Sequence, residues 1–130
     1  MDSEALARRL AELADSKGAT EIVALDMREL VSYTDFLVIC TARNERQAAA
    51  IADEVGYRMK HDEGLLPQVE GGPAAGWTVL DFLDGVLHVF TPEARDRYRL
   101  ELLWSDASRL ELSLVGSAEP GPGRRRAAEA

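Results

Sequence analysis

A run of almost wholly apolar residues from Asp35 to Thr41 (DFLVICT) constrains the fold of this chain more than any other segment. A strand with one face in water alternates polar and apolar residues, whereas a continuous apolar run requires cover on both faces. We therefore predict a central strand with packed layers above and below it. The single cysteine, Cys40, lies inside this run and is interpreted as a small core residue, with a reactive nucleophile as the alternative.

A long helix is predicted directly after this strand. Asn44 is a good N-cap, and Gln47 stands three residues later as its capping-box partner. The apolar positions of the helix recur at helical spacing and form its buried stripe: Ala48, Ile51, Ala52, Val55 and Met59. A helix N-terminus that follows a buried strand can hold an anion. However, the segment TARNERQ contains no glycine, so the sequence does not indicate a backbone cradle for phosphate.

The remaining elements before residue 76 are more ordinary. A first amphipathic helix is predicted to be capped by Asp2 or Ser3 and to end at Lys17-Gly18. A strand is predicted at residues 21–26, followed by a loop. Residues 65–70 predict a short edge strand, because Pro67 cannot donate a hydrogen bond inside a sheet. Residues 71–76 are rich in glycine and proline and predict a flexible loop.

The segment from Trp77 to Trp104 contains the clearest turn and cap signals of the chain. Residues 77–82 and 86–90 are rich in β-formers and predict the two strands of a hairpin. The dipeptide Asp84-Gly85 between them is typical of a type I′ turn, in which both central residues have positive φ. Thr91 and Pro92 then predict a helix start, with a threonine cap and proline at the first position. This helix is expected to continue to Trp104 and to fold back over the hairpin.

The order of these elements is helix, strand, strand, helix, strand, hairpin, helix. It predicts an α/β fold in a single domain, with a mixed β-sheet flanked by helices: a parallel connection through the long helix and an antiparallel hairpin. Residues 109–115 alternate and predict a last strand, so the domain is expected to span residues 1–115. Residues 116–130, with their prolines, glycines and three arginines, predict a disordered basic C-terminal tail.

Charge bears on the kind of partner. The net charge of −8 includes +2 from residues 120–130, which hold three arginines and one glutamate, so the body carries −10. Such a body repels nucleic-acid phosphates at long range and favours a basic protein as partner. We expect no signal peptide, because the first residues include Arg8 and Arg9 and no apolar core segment, and no apolar run approaches the roughly 18 residues of a membrane span. With one cysteine and no disulfide framework, the expected location is cytoplasmic.

No active site emerges from the motifs. The sequence lacks GxGxxG, a P-loop and GxSxG, and no Cys/His/Asp spacing fits a metal. His88 lies within a predicted strand and is interpreted as a hydrogen-bonded histidine, with a ligand or base as the alternative. Asp81 and Asp84 form the only carboxylate pair near a strand end, and their spacing does not make them converge. We therefore expect no catalytic, cofactor or metal site, and a binding role.

Three stretches carry a family resemblance: DFLVICTARNERQ, WTVLDFLDGVLHVF and RDRYRLELLWSD. They occur in order, and from about Ala5 to Asp106 the chain resembles the ribosomal silencing factor (Iojap-like, RsfS) family. The resemblance implies a topology similar to nucleotidyltransferases. The Gly-Ser and Asp-x-Asp elements with which such enzymes hold nucleotide and metal are missing from this sequence, which is consistent with a protein that is not an enzyme.

The resemblance also implies a partner and a mechanism. Family members bind ribosomal protein L-fourteen on the large subunit and sterically prevent the small subunit from joining. Translation is thereby repressed when nutrients are limiting. Members tend to be homodimers when free of the ribosome. The basic tail lies outside the resemblance and is either a contact to ribosomal RNA or a solvated end.

The resemblance places the surface for L-fourteen on the hairpin and the helix after it. The residues implied are Trp77, Leu80, Asp81, Phe82, Tyr98, Leu102, Trp104 and Asp106. Trp77 and Tyr98 are expected to be exposed anchors, and Asp81 and Asp106 partners for arginine or lysine. Leu80 and Trp104 are equally compatible with the core.

Two departures from the family pattern bear on the hairpin. Leu83 stands where the family often has a small turn residue, and Gly85 where it often has an apolar strand residue. Together they suggest a turn that is shifted or tightened to the Asp84-Gly85 pair. Two other functions remain open: a nucleotide-binding or nucleotidyltransferase-like enzyme, and a generic dimeric adaptor for another basic protein.

Overall fold

A computed structural model describes residues 1–114, which form one six-stranded sheet with helices on both faces. The helices are α1 (Ser3–Ser16), α2 (Glu45–Arg58), α3 (Pro92–Tyr98) and α4 (Leu100–Leu103). The strands are β1 (Thr20–Asp26), β2 (Phe36–Thr41), β3 (Gln68–Gly72), β4 (Trp77–Asp81), β5 (Gly85–Phe90) and β6 (Ser108–Arg109). A π-helical turn (Met59–Glu63) extends α2, and a 3₁₀ turn (Pro73–Ala75) joins β3 to β4. The predicted α/β class with a mixed sheet is confirmed.

Strand β2 lies in the middle of the sheet, whose order is β3-β4-β5-β2-β1-β6. It runs parallel to β5 and antiparallel to β1. Every residue from Phe36 to Thr41 is buried, as the apolar run predicts. Alternate side chains enter two cores, one beneath α1 and α2 and the other beneath α3 and α4. Cys40 belongs to the core beneath α1 and α2. Burial raises the pKa of its thiol to about 12, although the nearby charge of Arg95 acts in the opposite direction. Cys40 is therefore a core residue with an inert thiol.

The predicted caps of the two long helices are present. The Asp2 carboxylate accepts from the Ala5 N–H at 2.7 Å, and the Asn44 side chain accepts from the Gln47 N–H at 2.9 Å. Gln47 does not close a capping box on Asn44. Its Oε1 atom accepts instead from the Arg43 N–H at 2.7 Å, and its amide nitrogen donates to the Lys17 carbonyl at 3.2 Å. This buried side chain therefore ties the start of α2 to the end of α1.

The hairpin turn differs from the predicted type I′ turn, and that prediction is wrong. Among the residues of the turn, positive φ occurs at Leu83 (75°), not at Asp84 or Gly85. The Leu83 N–H donates to the Asp81 carboxylate at 2.8 Å, which holds the turn one residue earlier than expected. Gly85 serves packing instead, because a Cβ atom there would lie 3.0 Å from a methyl carbon of Leu6 in α1. The departure at position 83 thus belongs to the turn and the departure at position 85 to packing against α1, and the predicted shift of the turn to the Asp84-Gly85 pair is wrong.

Two predicted helical features are also wrong. The helix that was expected to reach Trp104 breaks at Arg99, whose φ of 48° is left-handed, and α4 begins anew at Leu100. Thr91 occupies the N-cap position of α3 without a side-chain hydrogen bond to it, while Pro92 lies at the first position as predicted. The break produces a corner that brings α4 back over the sheet.

The two outer strands have different bounds from those predicted. Strand β3 begins at Gln68, after Pro67, and takes in Gly71 and Gly72, which were predicted to be loop. Strand β6 has only two residues. After it, the Leu110 N–H donates a hydrogen bond to the Ala24 carbonyl. Leu110, Leu112 and Leu114 then pack against the core beneath α1 and α2. Val115 and the predicted tail 116–130 lie outside the described residues. No helix in residues 1–114 has the length and apolar character of a membrane span.

Candidate protein-binding face

Aromatic rings gather on the side of the sheet that α3 and α4 cover only in part. Trp77 lies opposite Phe90 across β4 and β5, with ring centroids 4.9 Å apart. The ring of Tyr98 in α3 packs on Trp77 at a tilt of 43°, with centroids 4.6 Å apart. Because side chains alternate along a strand, Val79 and His88 point to this same side. We call these five residues the aromatic face. Phe90 forms its buried base, Trp77, Val79 and His88 are half-buried, and Tyr98 is 45% exposed.

A hydrogen bond orders the centre of the aromatic face. The indole N–H of Trp77 donates to Nδ1 of His88 at 3.0 Å. Burial lowers the pKa of His88 to about 4, against the opposing influence of the Asp81 carboxylate, so its imidazole is neutral at pH 7. The interpretation of His88 as a hydrogen-bonded histidine is thereby confirmed for Nδ1. The bond also fixes the orientation of the Trp77 ring.

Four polar side chains anchor the corner between α3 and α4 to the sheet, and we call them the Arg95 clamp. The Arg95 guanidinium donates to the Glu101 carboxylate at 2.6 and 2.8 Å and to the Thr41 hydroxyl at 2.8 Å. The Thr41 hydroxyl donates in turn to Glu21 at 3.1 Å. Burial by itself would raise the pKa of Glu101. The hydrogen bond and the positive charge of Arg95 have the larger combined effect, so the pKa of Glu101 lies below its ordinary value. The clamp bridges the break at Arg99 and so holds Tyr98 over Trp77.

Loss of the Arg95 guanidinium is expected to destabilise the fold. In Arg95→Met the Glu101 carboxylate loses its cation, and the Thr41 hydroxyl keeps only its hydrogen bond to Glu21. We expect this to cost about 2 kcal/mol of unfolding free energy, less than for a fully buried pair because Glu101 is partly solvated. Urea unfolding measures this change. Arg58→Met is the matched control, since its pair with Glu54 lies on the surface of α2 and contributes little. Equal effects of the two substitutions would contradict a clamping role for Arg95.

The predicted partner-binding residues divide between the two sides of the sheet. Leu80 (1% exposed) and Phe82 (7% exposed) are buried in the core beneath α1 and α2, on the side opposite Trp77. They are therefore not accessible to a partner, and their assignment to the surface is corrected: alternation along β4 directs Leu80 away from Trp77. Trp77 itself is half-buried rather than fully exposed.

Three of the other predicted residues lie in or just after α4, on the side of the sheet that carries Trp77 but nearer to β1 than to β4. Trp104 is half-buried and packs against the core beneath α3 and α4. Leu102 is 65% exposed on α4, and Asp106 is exposed after it. Asp81 points to the same side as Trp77, with one carboxylate oxygen engaged by the hairpin turn.

Sequence reasoning missed three contributors to this surface: Val79, Leu103 and His88, the last of which was interpreted only as a hydrogen-bonded histidine. Val79 shares the face of Trp77, a placement that strand alternation alone could have revealed. Leu103 is 67% exposed beside Leu102, because the break at Arg99 turns α4. A helix continuous from Pro92 would have presented different residues, so Leu103 could not have been found from the predicted helix.

A separate cleft of about 350 Å³ opens where the parallel strands β2 and β5 end. Its charged lining residues balance each other: Arg43 and Arg97 against Glu45 and Glu93. In open α/β sheets ligands bind at such strand ends, so this cleft is where a nucleotide would bind under the enzyme alternative. Within residues 1–114 no three His, Cys, Asp or Glu side chains group as metal ligands would.

Comparison with known protein families gives one match over the whole chain. A family described as "Ribosomal silencing factor during starvation" matches residues 1–130. The ribosomal silencing factor RsfS of Halalkalibacterium halodurans is 35% identical over 116 residues, 88% of this chain and 98% of that protein. The RsfS of Zymomonas mobilis is 36% identical over 103 residues, 79% of this chain and 77% of that protein.

Solved structures agree with these sequence matches. A crystal structure of a protein from Bacillus halodurans superposes with a TM-score of 0.70 at 35% identity, covering 85% of this chain and all of that one. A protein from Chromobacterium violaceum superposes with a TM-score of 0.77 and covers 95% of this chain and all of that one. Its identity of 24% restricts that likeness to the fold.

Proposed function

The chain belongs to the ribosomal silencing factor family, and from that premise we propose that it binds ribosomal protein L-fourteen of the large subunit. Bound there, it sterically blocks joining of the small subunit and represses translation under nutrient limitation. The observation that carries this proposal is the aromatic face. A mechanism of steric exclusion requires a strong contact surface and no catalytic group.

The composition of this surface supports a protein partner. A few residues contribute most of the binding energy at protein interfaces, and tryptophan and tyrosine are enriched among them, above all where neighbouring contacts exclude water. Trp77 and Tyr98 are adjacent, and Leu102 and Leu103 are exposed apolar residues of α4, which covers the same side of the sheet. The proposed surface comprises these residues with Val79, His88, Asp81 and Asp106, while Trp104 supports it from the core.

The charge of the body supports a basic partner. Ribosomal proteins are generally basic, and a body of −10 complements them electrostatically, which raises the association rate and the specificity. Asp81 and Asp106 would pair with arginine or lysine of L-fourteen. The proposed location is the cytoplasm, where a free copy would cover its apolar surface by forming a homodimer. The arginines of residues 116–130 would make at most a minor contact to ribosomal RNA.

The anchors are tested by alanine substitution. Trp77→Ala and Tyr98→Ala are each expected to weaken binding to purified L-fourteen by about 2 kcal/mol, or roughly 30-fold in dissociation constant, because each removes a ring at the centre of the surface. Isothermal titration measures the change, and thermal unfolding verifies that each variant is folded. Tyr57→Ala is the matched control: Tyr57 is 57% exposed on α2, on the other side of the sheet. Wild-type affinity in both anchor variants would rule out this surface.

Two outcomes would favour the alternatives. Heat released on titration with nucleoside triphosphates and Mg²⁺, and lost in Arg43→Ala, would favour an enzyme that uses the cleft at the ends of β2 and β5. Failure of the protein to sediment with isolated large subunits in a sucrose gradient would favour an adaptor for another basic protein. Under the proposed function, the protein sediments with large subunits and reduces the joined-ribosome peak when small subunits are added.

A further inference from the structure

One ring nitrogen of His88 is left without a protein partner. Within residues 1–114 its hydrogen bond is the one that Nδ1 accepts from Trp77. The Nε2 atom has no partner among these residues and keeps some exposure to solvent on the aromatic face, although the ring as a whole is largely buried. An open ring nitrogen at this place can meet a bound protein directly.

The hydrogen bond from Trp77 determines which nitrogen carries the proton. An indole N–H is a donor only, so the Nδ1 atom that accepts from it is unprotonated. A neutral imidazole with an unprotonated Nδ1 carries its proton on Nε2. The open nitrogen is therefore an N–H donor, and Trp77 has no donor left for a partner.

The surroundings of this donor are apolar. In the sheet His88 lies between Val79 of β4 and Ile39 of β2, with Trp77 and Phe90 beside it. Two carboxylates lie near it on neighbouring strands: Asp81, which raises the proton affinity of His88, and Glu70, one strand further out opposite Val79. The Arg95 clamp on the same side lies further away, beyond β5. A partner that covers this region removes water from the Nε2–H group, and an unpaired buried donor costs free energy.

We propose that His88 is a specificity-determining residue of this surface, whose Nε2–H donates a hydrogen bond to an acceptor oxygen of the bound protein. This inference rests on the proposed function. The acceptor is a backbone carbonyl or a side-chain oxygen, and a partner that places an apolar group or a cation there is discriminated against. Trp77 is then both an anchor and the group that sets the His88 tautomer.

A double-mutant cycle with Trp77→Phe separates this role from a purely structural one. His88→Leu removes the donor to the partner and also the acceptor for Trp77. In the Trp77→Phe background there is no indole N–H for His88 to accept from, so His88→Leu no longer removes that bond. The imidazole of this variant still carries a proton that it can donate to the partner. We expect His88→Leu to weaken L-fourteen binding about tenfold in that background as well. His88→Gln, whose amide both accepts and donates, is expected to recover part of the affinity in the wild-type background.

Each outcome of the cycle has one meaning. Unchanged affinity on adding His88→Leu to Trp77→Phe would overturn the proposal and leave His88 as the acceptor for Trp77 alone. Failure of the wild-type protein to bind L-fourteen would instead remove the proposed function, so the two failures are distinguishable.

Nitrogen NMR of the imidazole gives a test that does not depend on affinity. Long-range ¹⁵N–¹H spectra of the free protein are expected to show His88 with its proton on Nε2. In the complex with L-fourteen this proton is expected to exchange with water at least tenfold more slowly. A proton on Nδ1 in the free protein, or an unchanged exchange rate in the complex, would overturn the proposal.

Discussion

Replacing Gly71 by alanine is expected to lower the free energy of unfolding by about 3 kcal/mol, the largest effect of any single alanine we consider. Gly71 has a φ of 71°, and a Cβ atom there would lie 2.2 Å from the Trp77 carbonyl oxygen. That oxygen belongs to the backbone of β4, so the clash can be relieved only by moving β3 away from its neighbour. Urea unfolding followed by circular dichroism measures the loss.

Gly72→Ala is the matched control, one residue along the same strand. Gly72 has an extended φ of 171°, and a Cβ atom there meets nothing within 4 Å. It should therefore leave stability nearly unchanged. Because Gly72 pairs with Trp77, displacement of β3 in Gly71→Ala should also alter the tryptophan fluorescence of the folded protein. Similar stabilities for the two variants would show that the close approach at Gly71 is not required.

Acidification is expected to remove about 3 kcal/mol of stability through His88 between pH 7 and pH 4. The pKa of His88 is about 4 in the fold, against 6.5 for an ordinary histidine, because burial disfavours the charged ring. The unfolded chain therefore takes up the proton first as the pH falls. The contribution of His88 is complete above pH 6.5, decreases as the pH falls towards 4, and levels off below it. One pKa unit corresponds to about 1.4 kcal/mol.

The measurement is the unfolding free energy as a function of pH for the wild type and His88→Gln. Carboxylates add their own pH dependence to both proteins, so the difference between the two curves isolates the histidine. His61→Gln is the control, since His61 is exposed on the π-helical turn after α2. Parallel curves for wild type and His88→Gln would contradict a neutral, buried imidazole in the folded protein.

The two binding measurements and the three stability measurements test different residues of the same region. Gly71 and the Arg95 clamp hold the frame, Trp77 and Tyr98 provide the contact area, and His88 provides one directional bond. A variant that loses binding but keeps its unfolding free energy locates a contact residue. A variant that loses both locates part of the frame.

The sequence by itself determined the class and the central layer of this protein. An apolar run has to be buried on both faces wherever it lies, so β2 could be recognised from local composition alone. The N-caps Asp2 and Asn44 could also be predicted from local sequence, because the N–H group that each accepts from lies only three residues away. The ordered motifs also pointed to the family, and through it to the region around Trp77 and Tyr98.

Only the tertiary structure decided which residues of that region form a surface. Strand alternation separates Leu80 from Trp77, but the cover that α1, α2, α3 and α4 give to each side of the sheet determines which of them is exposed. The bond between Trp77 and His88 joins adjacent strands, and the Arg95 clamp spans 54 residues to Thr41. Such contacts depend on strand register and on the left-handed turn at Arg99, which arise from packing between distant segments and leave no local pattern in the chain.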